Sequence, residues 1–308
     1  MTFDVLALND AEAGGNGLPG MERLAATEDC VRSFALGGVA FELLAEAGQG
    51  ASLGDCGEFA VPMAEVGTGA VVGEVRCALA VEPALMESPE GREIRWEWRQ
   101  DRGSVRTMRV RAELRRLSPG RYAATARLGA GPEAKSLAAA LSSAVVSREG
   151  GLSLHAAAAE LGGAAVLFVG PSGAGKTTAR DLVLAGRRFS RDRVTVFPAA
   201  GCGWMAWAMP GGSPVIEPMP AAAHVALPLA CVLRVHQGSA VELRRAEGAE
   251  AMALVRESVM CGGTTAADEL ERLAAIERLV SEVPVGVVTT VLGVDLSARL
   301  CDWVGEGA

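Results

Sequence analysis

Hydrophobic and polar residues alternate most regularly between residues 92 and 128, REIRWEWRQDRGSVRTMRVRAELRRLSPGRYAATARL. A period of two sends successive side chains to opposite faces of a strand. The stretch therefore predicts three strands turning at QDRGS and LSPGR, an antiparallel meander with arginines on one face and Trp96, Trp98, Met108 and Val110 on the other. Earlier, FALGGVAFELLAE (34–46) and EVRCALAVE (74–82) give shorter runs between glycine-rich stretches and read as strands and loops. The period then changes. In GPEAKSLAAALSSAVVSREGG, alanine and leucine at helical spacing, stopped by paired glycines, predict a helix joining two domains. The boundary falls near residue 132, with a smaller β-rich domain over 1–132 and a second domain, which includes the helix, over 133–308.

Beyond the helix, LSLHAAAAEL and AAVLFVG are two strand patterns separated only by Gly162 and Gly163, the signature of a tight hairpin. A strand over 192–197 and the segment WMAWAM follow. LACVLRV and VELRRA read as a further strand pair. Helices are predicted roughly over 246–260 and 265–282, the second with Leu270, Leu273, Ile276, Leu279 and Val280 on one face, and VPVGVVTTVLGVDL supplies a late strand. The second domain is thus of the α/β class.

Half of the 308 residues are hydrophobic, enough for a substantial core in a chain above the size at which single cores usually divide. No apolar run approaches a membrane span, and the first residues carry acids where a signal peptide needs basic ones, so a soluble cytoplasmic protein is expected. Seven scattered cysteines without a CxxC pair argue against disulfides and structural zinc. A net charge of -8 opposes bulk attraction to nucleic acid or anionic membrane, neither of which is expected as a partner, but leaves room for a local basic patch. Of 29 basic residues only Lys135 and Lys176 are lysines, and Lys176 lies in a glycine-rich turn.

That turn runs Gly170, Pro171, Ser172, Gly173, Ala174, Gly175, Lys176, Thr177, Thr178, and its Gly170, Gly175, Lys176 and Thr177 satisfy GxxxxGK[ST] between an apolar strand and a helix. The glycines permit positive φ, which lets successive backbone N–H groups converge on a phosphate, aided by the following helix dipole. Lys176 would bridge the β- and γ-phosphates of ATP, and Thr177 would ligate Mg2+. The bland alternative is a glycine-rich connection, in which a lone lysine has no particular use. The loop alone does not separate kinases from ATPases, GTPases or transporters.

The arrangement GLSLHAAAAELGGAAVLFVGPSGAGKTTARDLVLAGRRFSRDRV resembles the HPr kinase/phosphorylase family, above all its divergent stand-alone HPr-kinase-like members. His155 lies fifteen residues before Gly170, and PLACVLRV, AEGAEAMALVRESV and EVPVGVVTTVL look like that family's closing strand, helix and strand. The resemblance covers about residues 133–292. It implies a phosphoenolpyruvate-carboxykinase-like P-loop core, ATP with magnesium, and phosphoryl transfer to a hydroxyl, typically serine, of a protein, peptide or small molecule. It also implies an active-site role for His155 and for Asp192, the latter beside the metal with Thr177. Where the family has Asp-Asp, this chain has Arg191-Asp192. Arginine cannot accept a proton, so Arg191 is either a phosphate ligand or a surface charge. A one-residue shift could bring Asp192 into the first acid's place.

Two functions follow: a kinase adapted to the arginine, or a nucleotide-binding pseudokinase acting as a regulatory or partner-binding module. Oligomerisation is left open. Bland alternatives stand beside the other assignments: His155 as a satisfied core histidine, Asp192 as a solvated acid, and the arginine-rich meander as a solvated face instead of a dock for an acidic partner. Trp204 and Trp207 read as packing residues and not as an adenine platform.

Overall fold

The computed structural model describes residues 30–36, 38–45, 61–62, 73–81, 95–107, 110–128, 133–201, 203–209, 226–260 and 265–305. Two eight-stranded sheets and five helices make up these residues, a mixed α/β fold dominated by strands. The first sheet holds β1 (Cys30–Leu36), β2 (Val39–Ala45), β3 (Val61–Pro62), β4 (Gly73–Val81), β5 (Arg95–Arg99), β6 (Arg102–Arg106), β7 (Val110–Ser118) and β8 (Arg121–Leu128). Their order across it is β3-β1-β2-β4-β8-β7-β6-β5.

Where three strands are expected the meander has four, β5 to β8, all antiparallel, because the run SVRTMRVRAELRR is divided between β6 and β7, a break that its continuous alternation does not mark. Trp96, Trp98 and Val110 are buried, as the alternation requires, and Met108 lies outside the described residues. The sheet as a whole is not antiparallel, contrary to the expectation for this domain, because β4 runs parallel to both β2 and β8. Parallel pairing joins strands distant in sequence, and local periodicity carries no record of it.

Helix α1 (Glu133–Arg148) lies under this sheet. Residues 137–146 are buried all round. They share one apolar cluster with the first sheet, with Phe197, Trp207 and Met209 of the second, and with Ala226 just before β14. Alanines keep the helix slim, and its two buried serines are satisfied: Ser142 Oγ donates to the Leu36 carbonyl at 2.8 Å and Ser143 Oγ to that of Ala139 at 2.9 Å.

The second sheet contains β9 (Leu152–Leu161), β10 (Ala164–Val169), β11 (Arg187–Ser190), β12 (Arg193–Ala199), β13 (Gly203–Met209), β14 (Leu227–Gln237), β15 (Glu242–Arg245) and β16 (Val285–Thr290). The hairpin forms as expected: β9 and β10 pair antiparallel from Leu161↔Ala164, and Gly162 and Gly163 take φ of 61° and 83°. Those angles suit a twist-matched two-residue turn. β9 pairs with β12, β12 with β13, β13 with β14, and β14 returns to β10 in parallel, so five strands close a ring.

LACVLRV and VELRRA do not pair with each other. β16 stands between β14, to which it is parallel, and β15, to which it is antiparallel. The largely exposed ELRR takes the sheet edge, while the apolar centre of β14 is covered on both sides. Helices α3 (Gly248–Ser258) and α4 (Ala266–Glu282) pack on one face with Leu154, Leu167 and Val194. In α4, Ile276 and Leu279 are buried, but Leu270 is 68 % exposed and does not join their face. The other face carries α2 (Lys176–Asp181) and α5 (Ser297–Gly305), packed on Val166, Phe168 and Val288.

Candidate functional site

β10 delivers the chain into the glycine-rich turn, where Gly170, Gly173 and Gly175 have φ of 141°, 81° and 95°. All three lie in the region that disfavours side chains, which is why the sequence has glycine there. Pro171, Ser172, Gly173 and Thr178 are exposed, while Ala174 and Thr177 are half-buried. The following helix, α2, has only six residues and no side-chain cap at its start. Its macrodipole is therefore small, and the dipole aid expected from the sequence gives way to the loop's own N–H groups. Gln237, at the end of β14, flanks the loop: a Cβ on Gly175 would lie 3.3 Å from its Nε2.

Lys176 is 8 % exposed and turns onto the loop itself, donating from Nζ to the carbonyl oxygens of Gly170 at 2.9 Å and Pro171 at 3.1 Å. Burial lowers its pKa below the ordinary lysine value, and the Asp192 carboxylate opposes the shift. A buried ammonium satisfied only by neutral carbonyls is suited to an incoming phosphate, which offers a stronger, charged acceptor.

His155 projects from β9, two positions along the alternation from Ala157, and its Nε2 lies 3.1 Å from Asp192 Oδ1. The two side chains are 44 % and 41 % exposed, so the pair is open to a ligand. β11 and β12 both run along β9, and Asp192 falls in the bend between them, held by its own carbonyl, which accepts from Ala156 N at 3.0 Å. Burial holds the His155 pKa below the usual histidine value; Asp192 pulls it back up, and Lys176 and Arg193 push it down. The imidazole is neutral near pH 7. A neutral imidazole keeps one ring nitrogen with a lone pair.

Arg191 is exposed and forms no ion pair among the described residues. Two arginines that the pattern did not single out bear on the site instead. Arg193 stands opposite His155 in the β9–β12 register, and its Nε is buried without a hydrogen-bond partner. Arg180, 4 % exposed, pairs with Asp181 at 2.8 Å and donates from Nη1 to the Ser190 carbonyl at 3.3 Å, tying α2 to the strand that leads into Arg191 and Asp192. Arg193 was visible only as one charge in RDRV, and Arg180 had no sequence signal.

The loop fits a triphosphate, since it offers positive-φ glycines, uncapped N–H groups and an ammonium without an anionic hydrogen-bond partner. No three His, Cys, Asp or Glu side chains gather to hold a metal among the described residues. A magnesium ion at Thr177 and Asp192 would thus need phosphate oxygens to complete its shell, the usual state of nucleotide-bound magnesium. In comparison with known proteins, no family model matches the chain and no curated protein matches it.

Proposed function

We propose that this protein is an ATP-dependent kinase with an HPr-kinase-like, phosphoenolpyruvate-carboxykinase-like P-loop core, transferring the γ-phosphoryl group to a hydroxyl of a protein, peptide or small molecule. The observation that carries the proposal is the 3.1 Å contact between His155 and Asp192 within electrostatic reach of Lys176. Residues 170–178 would hold the phosphates, and Thr177 and Asp192 would hold the metal. Bound MgATP supplies the activated phosphoryl group and neutralises much of its own charge.

The chain's residues do the rest. The neutral imidazole of His155 accepts the proton of an acceptor hydroxyl, and the nearby Asp192 carboxylate stabilises the imidazolium that forms. Lys176 adds positive charge where negative charge grows, and Arg191 is available to an incoming anion because no partner among the described residues occupies it. A nucleotide-responsive protein without catalysis is the second reading, favoured by an exposed cation where the resemblance expects an acid.

Single-turnover ATP consumption with magnesium separates the two. The parent should be active, Asp192→Asn should slow it about a hundredfold or more, and Arg191→Asp should slow it less. NMR titration should show His155 losing its proton at lower pH in Asp192→Asn than in the parent, because the carboxylate that raises its pKa is gone. An inactive parent revived by Arg191→Asp establishes the second reading.

A further inference from the structure

Arg193 is partly buried and takes no part in the phosphoryl transfer described above. Its Nε is sealed from solvent without a hydrogen-bond partner, and its guanidinium makes no ion pair among the described residues. The Asp192 carboxylate is engaged with His155 at 3.1 Å instead. Burial lowers the pKa of Arg193 and Asp192 opposes the shift, yet a guanidinium keeps its proton throughout the working range of a protein. A cation withdrawn from water without a partner of its own is costly. Packing does not ask for it: Met209, directly opposite on β13, is a buried apolar residue, and a methionine at 193 would fill similar space without the charge.

The strand register shows where that charge stands. Ala156 of β9 pairs with Val169 of β10, so His155 is level with Gly170, where the glycine-rich loop begins. On its other flank His155 stands directly opposite Arg193 of β12. Residues directly opposed in an antiparallel pair project to the same face, so the His155 and Arg193 side chains are neighbours. Adjacent strands lie about 4.8 Å apart, which puts the loop one strand from His155 on one side and Arg193 one strand away on the other. Lys176 and Arg193 both act electrostatically on His155. A nucleotide on the loop therefore reaches His155 from the β10 side and leaves the β12 side, with Arg193, to the other substrate.

We propose that Arg193 binds the phosphoryl acceptor, and that this acceptor is a hydroxy acid whose carboxylate sits on Arg193 while its hydroxyl faces His155. The assignment of the hydroxyl rests on the kinase reading; that of the carboxylate rests on the register and on the unpartnered guanidinium. Arginine is matched to this role, since its planar fork takes a carboxylate in two parallel hydrogen bonds. A carboxylate brings the one negative charge that Arg193 neutralises, whereas a phosphate brings nearly two beside the carboxylate of Asp192. In the transfer, the acceptor oxygen bonds to the γ-phosphorus as the bond from that phosphorus to the bridging oxygen breaks. ADP leaves with the electron pair, and the hydroxyl proton passes to His155.

The test follows the His155 ring signals by NMR while β-hydroxypropionate, its neutral analogue n-propanol and the phosphate-bearing glycerol phosphate are titrated into the protein with magnesium and ADP. β-Hydroxypropionate should shift the signals saturably and bind most tightly. Arg193→Met should weaken it about tenfold or more, and Arg193→Lys, which keeps the charge but loses the fork, by an intermediate factor. The thermal midpoint of Arg193→Met should hold or rise, because an uncompensated charge has left the interior; a fall with affinity unchanged in Arg193→Lys would make the arginine structural and overturn the proposal. So would absent binding by the parent, equal binding of n-propanol, or tighter binding of glycerol phosphate. Phosphoryl transfer from ATP to the same probes is measured alongside. Arginine-dependent binding without any transfer would count against the kinase reading and leave the carboxylate site standing, whereas transfer indifferent to the carboxylate and to Arg193 would overturn the site and leave the kinase.

Discussion

Charge is handled oppositely in the two sheets. In the second, the cations Lys176 and Arg193 stand around the single carboxylate of Asp192 and a neutral His155, and the buried Lys176 is satisfied by backbone carbonyls. In the first, exposed arginines stand opposite one another across four strands. The difference follows from burial. An interior cation without compensating groups costs several kcal/mol, whereas exposed like charges repel by a fraction of that through water and salt. The second sheet is therefore constrained at each charged position, while the first is free to accumulate charge of one sign.

Lys176→Ala tests the constrained side and should have the largest effect. It removes a charge-assisted contact to phosphate and should weaken ATP binding about a hundredfold in calorimetry. The thermal midpoint should change little, because the carbonyls of Gly170 and Pro171 lie at an open loop that water can reach. Unchanged ATP affinity in a folded variant would make the loop a mere connection and end the contrast between the sheets.

Gly103→Ala probes the packing beneath the exposed arginines of the first sheet. A Cβ there would meet the Trp98 indole at 2.9 Å, so the variant should lose about 1–3 kcal/mol of stability in urea denaturation. Nucleotide affinity should not move. A joint loss of stability and affinity would mean that the first sheet and the loop respond as one unit.

The smallest effect is expected from Arg106→Thr, which relieves two cross-strand repulsions and introduces a good strand former. It should raise stability by about 0.5 kcal/mol, with the gain shrinking at high salt. A loss of stability instead would show that the arginine row is held by contacts stronger than its repulsion.

What the sequence made legible was local. The hairpin at Gly162 and Gly163, the loop glycines and the two faces of the meander each follow from neighbouring residues, and the structure has them. Pairings between distant segments were hidden: the parallel contacts of β4, and β16 standing between β14 and β15, depend on strands far apart in the chain. At the site, the loop was readable from its spacing, whereas the contact of His155 with Asp192, 37 residues later, was suggested only by family resemblance and requires β12 to lie along β9. Arg193 and Arg180 gained meaning only from burial, which a single charged letter in a polar stretch does not signal.

The five-stranded ring also bears on how the chain is made. Ala165, at the root of the strand that feeds the loop, is paired with Leu229, 64 residues further along. During synthesis, β9, β10 and the loop emerge well before that partner, and the antiparallel hairpin can form without it. The parallel side of β10, and with it Gln237 against Gly175, waits until β14 has left the ribosome. Closing so long a loop is slow relative to forming a hairpin. A nascent chain therefore carries the glycine-rich loop as an incomplete element for much of its synthesis, and the loop reaches its final surroundings only when the ring closes.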